Sequence, residues 1–326
     1  MASQNPMETT TLGRTGLQVS VVALGAGGHS RLGLRTGATE TQAADLVRAA
    51  VDRGITIVDT APVYGTETAV GAGLARLRDG VVVSSKIRPT VPGSSYESSD
   101  FIAPAMVRDS VEASLKALRT DRLDILHLHG VRPHQYEYCL NHLAPEMLRL
   151  RDEGKIRFLG ITEGFGVDTE REVMRRAVHD SVWDVLMMGY NFVNPSAAEL
   201  ILPAARSNRL GVMCMYAVRG ALAHSDSLNI LVDRLIEQGE IDPEQLDRKA
   251  PFGFLLGGGV AHSLTEAAYR FCRHTPGIEV VMTGTGNLTH LEQNIKSICG
   301  KPLPASVVQR LGDIFRHVRT ATGDPV

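Results

Sequence analysis

The sequence predicts a (β/α)8 barrel with an N-terminal β-hairpin and an extra C-terminal helix. Eight short apolar runs recur along the chain, alternating with segments of helical period. The runs are apolar almost throughout, as strands of a parallel sheet covered on both faces should be. The 326 residues are also a usual length for one such barrel. A doubly wound sheet is the alternative, but it would place GxGxxG after its first strand. Here the stretch reads "GAGGHSRLG", with Ser30 at the third-glycine position.

Taken in order, two short extended runs flank "GRTG" and read as a hairpin. The strands are expected at 21–25, 55–59, 81–86, 123–129, 156–162, 183–190, 210–216 and 278–283. The first helix, "ETQAADLVRAAVDRG", stops at Gly54, and the helix at 66–77 is weakened by two glycines. Pro104 sits in the first turn of an amphipathic helix over 103–118. Further helices are expected over 143–154, 168–178, 196–208 (interrupted by Pro203), 263–274, 288–298 and 305–321. The stretch 217–262 has no clean period and reads as an elaborated loop with short helices inside a single domain spanning 1–326.

Composition narrows the function. Hydrophobic residues make up 43% and charged residues 21%, as in a soluble globular protein, and a net charge of −2 gives no basic face for nucleic acid. Cys139, Cys214, Cys272 and Cys299 are widely spaced, without a CxxC pair, which fits reduced thiols in the cytoplasm better than a disulfide framework. The polar N-terminus lacks the pattern of a signal peptide, and no apolar run is long enough for a bilayer, so no membrane partner is expected. Oligomeric state is not readable from the sequence.

Function in such a barrel gathers at the C-terminal ends of the strands. The second barrel strand ends in Asp59, with Tyr64 just beyond it in "DTAPVYG"; the third ends in Lys86 and the fourth in His129. Each alone is unremarkable, but four ionisable groups at three consecutive strand ends form a proton-handling set. A phenol normally has a pKa of about 10. An ammonium beside it stabilises the phenolate, an aspartate keeps that ammonium charged, and a histidine orients a carbonyl. On this reading Asp59 holds Lys86, and Lys86 tunes Tyr64.

These motifs resemble those of the aldo-keto reductase family. The likeness takes in "LGRTGLQVS", "DTAPVYG", "SSK", "LDILHLH", "GKIRFLGIT" and "GTGNLTHLEQN", in that order along nearly the whole chain. The resemblance implies an oxidoreductase on a (β/α)8 barrel that interconverts a carbonyl and an alcohol using NAD(P)(H), with Tyr64 as general acid–base and Asp59, Lys86 and His129 as its partners. It implies that the segment after the last strand holds the adenosine phosphate, with Gly284, Thr285, Gly286, Asn287, His290, Gln293 and Asn294 on contacting positions. A helix N-terminus preceded by glycines suits that task.

Many members of that family carry a lysine where this chain has Gly284 and an arginine where it has His290. NADP(H) is favoured as cofactor, with NAD(H) as the alternative. On the nicotinamide side the usual Ser-Asn pair is Thr162-Glu163, and a common glutamine is Met187. Tyr190 and Asn191 are candidate replacement contacts, and Tyr216 matches an aromatic that stacks on the nicotinamide. The branch containing sugar dehydrogenases is closest in "LDILHLH" and "GKIRFLGIT", and Trp183 falls away from the rim. A small carbonyl or sugar substrate is therefore expected. Arg88, Tyr96, Arg132, His134, Tyr136 and Arg219 are candidate polar contacts on the surrounding loops.

Two other functions are compatible with parts of the pattern. A cofactor-binding regulatory protein could use the same barrel. A metal-dependent hydrolase could use His127 and His129, which share a strand face, but no further ligand ends strands five, six or eight, and no metal is expected.

Overall fold

A computed structural model describes residues 7–247 and 250–324. All eight expected strands are present and close into one parallel barrel. After the antiparallel hairpin of β1 (Thr9–Thr11) and β2 (Gln18–Ser20), the barrel strands are β3 (Val22–Gly25), β4 (Ile57–Asp59), β5 (Val82–Ile87), β6 (Leu123–Val131), β7 (Ile156–Glu163), β8 (Val185–Gly189), β9 (Gly211–Met215) and β10 (Val280–Thr283). Neighbours in sequence are neighbours in the sheet, and β10 pairs with β3 to complete the circle.

Side chains alternate across each strand, so each strand feeds two separate cores. Val22, Leu24, Val58, Val83, Leu126, Leu159, Leu186, Val212 and Val281 face outward into the large core under the helices. Ala23, Ile57, Val82, Ile125, Val185, Met187, Met213 and Val280 face inward and pack with Leu12, Leu17 and Val19 of the hairpin region. The hairpin thus plugs the N-terminal mouth of the barrel. Above this apolar floor the same parity brings Asp59, Ser84, Lys86, His127 and Thr162 into the interior, all buried.

Helix signals hold in most places. Thr39 caps the Glu40–Asp52 helix with a complete capping box, and Pro104 opens the Pro104–Leu118 helix. The expected helix over 196–208 is broken at Ile201, two residues before Pro203, which falls in the first turn of the second piece and leaves Ala197–Leu200 and Leu202–Ser207. The helix over 168–178 is shorter, Glu172–Ala177, because Arg171 takes a left-handed conformation before it. The 217–262 stretch holds more regular structure than expected: a 13-residue helix, Ser225–Glu237, buries Leu228, Leu231, Val232 and Leu235. Those four residues do follow a helical period, which the surrounding irregular stretch obscures. Among the described residues no helix is long and apolar enough to cross a membrane.

One contact shows how tightly the interior is filled. His127 is wholly buried on β6, facing Gly160 of β7, where a methyl group would lie 2.2 Å from its Nδ1. Gly160→Ala should therefore destabilise the barrel by about 1–3 kcal/mol, measured as a lowered urea midpoint at unchanged slope. Adding His127→Ala should recover part of that loss, since it removes the atoms the new methyl meets.

Candidate active site

Asp59 and Lys86 form a buried ion pair at the upper end of the barrel interior, with Lys86 Nζ 2.5 Å from Asp59 Oδ2. Ser84 donates to Asp59 Oδ1 at 2.9 Å, and Lys86 also donates to the Thr60 carbonyl at 3.0 Å. Burial pushes the Asp59 carboxyl up and the Lys86 ammonium down, and the partner's charge pulls each back. Removing either partner would leave the other as an unpaired buried charge. The expectation that Asp59 fixes Lys86 agrees with this geometry.

Tyr64 sits on the short 3-10 turn Pro62–Tyr64, above that pair. Its hydroxyl is 3.2 Å from His129 Nε2, and Lys86 Nζ lies 5.1 Å from the centre of its ring. The phenol therefore meets the imidazole rather than the ammonium. Its pKa is raised, first by burial and then by the Asp59 charge. The expected lowering of the phenol's pKa by Lys86 is outweighed in this structure by burial and by the Asp59 charge. His129 is neutral, since burial and the Lys86 charge hold its pKa well below the usual histidine range. His127, one layer deeper, is held low for the same two reasons. Among the described residues no group of three or more His, Cys, Asp or Glu side chains is arranged to hold a metal ion.

Beside Tyr64 the rim carries an aromatic platform. Tyr216, immediately after β9, has φ +62° and keeps 38% of its surface exposed. That left-handed conformation is unusual for a non-glycine residue. It is held by Asn191, whose Nδ2 donates to the Tyr216 carbonyl and to the Thr322 carbonyl, both at 3.0 Å. Phe165 stacks on Tyr216 with ring centres 5.8 Å apart and 14° between planes. Nothing in the sequence singled out Phe165. The signal was Gly189, where a side chain would strike the Phe165 ring at 2.2 Å.

The segment after β10 lies at the same end. Gly284, Gly286, Asn287, His290 and Gln293 are exposed, Thr285 is buried, and Asn294 donates to Thr283 at 2.8 Å. Asn287 caps the Leu288–Ile298 helix by accepting from the His290 amide. The first amides of that helix have no intrahelical partner and face a glycine-flanked turn, which suits a phosphate. Thr162 is buried near the end of β7, with its hydroxyl accepting from the Gly130 amide at 2.6 Å. A flat aromatic platform next to Tyr64 and an open helix N-terminus two strands on fit a dinucleotide with a planar, reactive ring.

Two expected cofactor contacts are placed elsewhere, and strand parity explains both. Thr162 points inward, so Glu163 points outward: it is buried against Arg171 at 2.6 Å and accepts from the Gly189 amide at 2.9 Å. Arg171 in turn lies under the Phe165 ring at 4.8 Å and bonds Ser196 and Asn194. Glu163 thus supports the platform from behind. Tyr190 also points outward, stacks on Phe271 and accepts from the Thr275 hydroxyl at 3.3 Å. It lines a depression of about 510 Å³ under the C-terminal helix, away from Tyr64. Tyr136, a candidate loop contact, is wholly buried with its hydroxyl on Asp180 at 2.5 Å. Trp183 is buried against it, away from the rim as expected.

The architecture and sequence have clear relatives. Residues 23–315 match the Aldo/keto reductase family. The chain is 31% identical over 302 residues to an L-galactose dehydrogenase from Arabidopsis thaliana, covering 90% of this chain and 88% of that protein. It is 28% identical over 313 residues to a D-threo-aldose 1-dehydrogenase from a Pseudomonas species, covering 88% and 92%. An aldo-keto reductase from Bacillus halodurans, solved in a holo form, shares the fold with a TM-score of 0.71 at 21% identity, covering 97% of this chain and 98% of that one. The chain belongs to the aldo-keto reductase family, and it is an oxidoreductase of carbonyl and alcohol groups.

Proposed function

We propose that Tyr64 is the general acid–base of an NAD(P)(H)-dependent oxidoreductase acting on a small polar carbonyl compound or sugar. The observation that carries this is the Tyr64 hydroxyl resting 3.2 Å from His129 Nε2, above the buried Lys86–Asp59 pair and beside the exposed Tyr216. A carbonyl oxygen placed between the Tyr64 hydroxyl and the His129 ring would accept hydrogen bonds from both, with His129 protonated on Nε2 as its neutral tautomer. The nicotinamide, when bound, supplies or accepts the hydride. As negative charge develops on the oxygen, the phenol hands over its proton, and the Lys86 ammonium below stabilises the anionic side of that transfer. In the oxidative direction the same groups take the proton back.

Tyr216 would stack on the nicotinamide, with Phe165 behind it. Thr162 is within reach of the same pocket. Gly284, Thr285, Gly286, Asn287, His290, Gln293 and Asn294 would hold the adenosine phosphate. NADP(H) heads this reading, with NAD(H) as the alternative, because Gly284 offers no side-chain cation. The sugar assignment draws on the two relatives named for sugar oxidation. A cytoplasmic location fits four free cysteines.

Tyr64→Phe should lower kcat by about 10²–10⁴-fold on simple aldehydes and aldoses while leaving cofactor binding intact in a fluorescence titration with NADPH and NADH. Retained turnover in that variant would remove Tyr64 from the mechanism; binding of cofactor without turnover of any carbonyl by the wild type would point to a regulatory protein.

The pH dependence follows from the shifted groups. The phenol's pKa is raised, so its protonated form persists above pH 10. Lys86 is lowered by burial, against Asp59 and Glu67, which favour its charge. The first alkaline loss of reductase activity should therefore come from Lys86 losing its proton, and Lys86→Arg should move that limb to higher pH. An alkaline limb unmoved in Lys86→Arg would assign it to the phenol instead.

A further inference from the structure

Several cations stand on the loops over the candidate site, and they are not all matched by carboxylates. Lys86 is matched by Asp59, Arg132 by Glu97 at 2.6 Å, and Arg219 by Asp324 at 2.7 Å. Among the described residues neither Arg31 nor Arg88 has a carboxylate partner.

The two lie on different sides of Tyr64. Arg31 belongs to the loop whose Gly33 packs directly on Gly286 of the proposed phosphate segment. A dinucleotide's own phosphates can answer that charge. Arg88 immediately follows β5, across the site on the His129 side. Its guanidinium lies 3.9 Å above the ring of Tyr96, and the edge of that ring meets His129 with centres 5.8 Å apart. His129 in turn touches the Tyr64 hydroxyl. Arg132 approaches the Tyr96 ring at 5.4 Å. Arg88 and Arg132 both help to keep the His129 ring neutral.

Arg88 is anchored but not satisfied. Its Nη2 donates to Thr90 Oγ1 and to the Ser94 carbonyl, both at 2.8 Å, which fixes the direction of the fork. Its Nε–H is buried and has no hydrogen-bond partner among the described residues. Arg88 is partly buried, and an oriented guanidinium with a buried, unused donor and no counter-charge favours a site that an anion completes. Its planar fork matches a carboxylate better than a hydroxyl.

We propose that the substrate carries a carboxylate near its reacting carbonyl, and that Arg88, backed by Tyr96, is the specificity-determining residue that receives it. This rests on the oxidoreductase reading above and narrows its substrate class to oxo acids, including the open-chain forms of sugar acids. The carbonyl takes the place between Tyr64 and His129. The acid group reaches past Tyr96 to Arg88.

The test compares matched pairs that differ by the acid group: 4-oxobutanoate against butanal, and D-glucuronate against D-glucose, each with NADPH and NADH. The acid member should have the higher kcat/KM by roughly 10- to 100-fold, the range of one charge-assisted hydrogen bond in a desolvated site. Its KM should rise with ionic strength, while that of the neutral member should not. Arg88→Met should collapse the ratio mainly through KM, and Arg88→Lys should restore part of it, which a loop-packing role alone would not do.

An acid-to-neutral ratio near or below one in the wild type overturns the proposal without any variant. So does a wild-type preference for the acid that survives in both Arg88→Met and Arg88→Lys. If Tyr64→Phe leaves turnover of both members intact, the oxidoreductase mechanism itself fails, and the two failures are separate.

Discussion

In a closed parallel barrel every strand has one inside face, and that face advances two residues at a time. This parity decides which side chains can take part in chemistry at the rim. Ile57 lies in the apolar floor, so Asp59 must face inward above it; Val82 does the same for Ser84 and Lys86, and Ile125 for His127 and His129. The ion pair between Asp59 and Lys86 is possible because two adjacent strands bring inward positions to one height. The phenol and imidazole then meet above it. Glu163 and Tyr190 are excluded by the same rule and become supports.

The site's electrostatics follow from how little water reaches it. A short ion pair in such surroundings keeps both its charges only by mutual attraction. The Lys86 charge is felt at His129, while at the Tyr64 phenol burial and Asp59 dominate. The result is a neutral acid beside a neutral imidazole, with a fixed cation beneath. That arrangement suits donation of a proton to an oxygen acquiring charge. The aromatic platform is built by a different logic: Tyr216 is bent out of strand geometry and tied by Asn191, while the Glu163–Arg171 pair braces Phe165 from behind.

Much of this was legible in the sequence because it depends on local pattern. Eight apolar runs with helical segments between them gave the barrel, and polar residues closing three consecutive runs gave Asp59, Lys86 and His129. What escaped depended on contacts between distant segments. The Ser225–Glu237 helix was hidden because its apolar spacing lies within a stretch of glycines and charges. Phe165 was invisible because its role exists only through Gly189 and Tyr216 on other strands. The net effect on Tyr64 was over-read, since sequence gives adjacency of strand ends but not the burial and the Asp59 charge that oppose Lys86 at the phenol. Glu163 and Tyr190 could have been placed by counting parity from Thr162 and Met187.

The hairpin plug has a consequence for proton traffic. Leu12, Leu17 and Val19 seal the far mouth, and the layer of Ile57, Val82, Ile125, Val185, Met187, Met213 and Val280 above them contains no ionisable group. No relay can run down the barrel axis through such a floor. On the proposed mechanism, a proton given up by Tyr64 would be replaced from the upper mouth, where the candidate site opens. Recharging the acid and exchanging reactant for product would then share one opening.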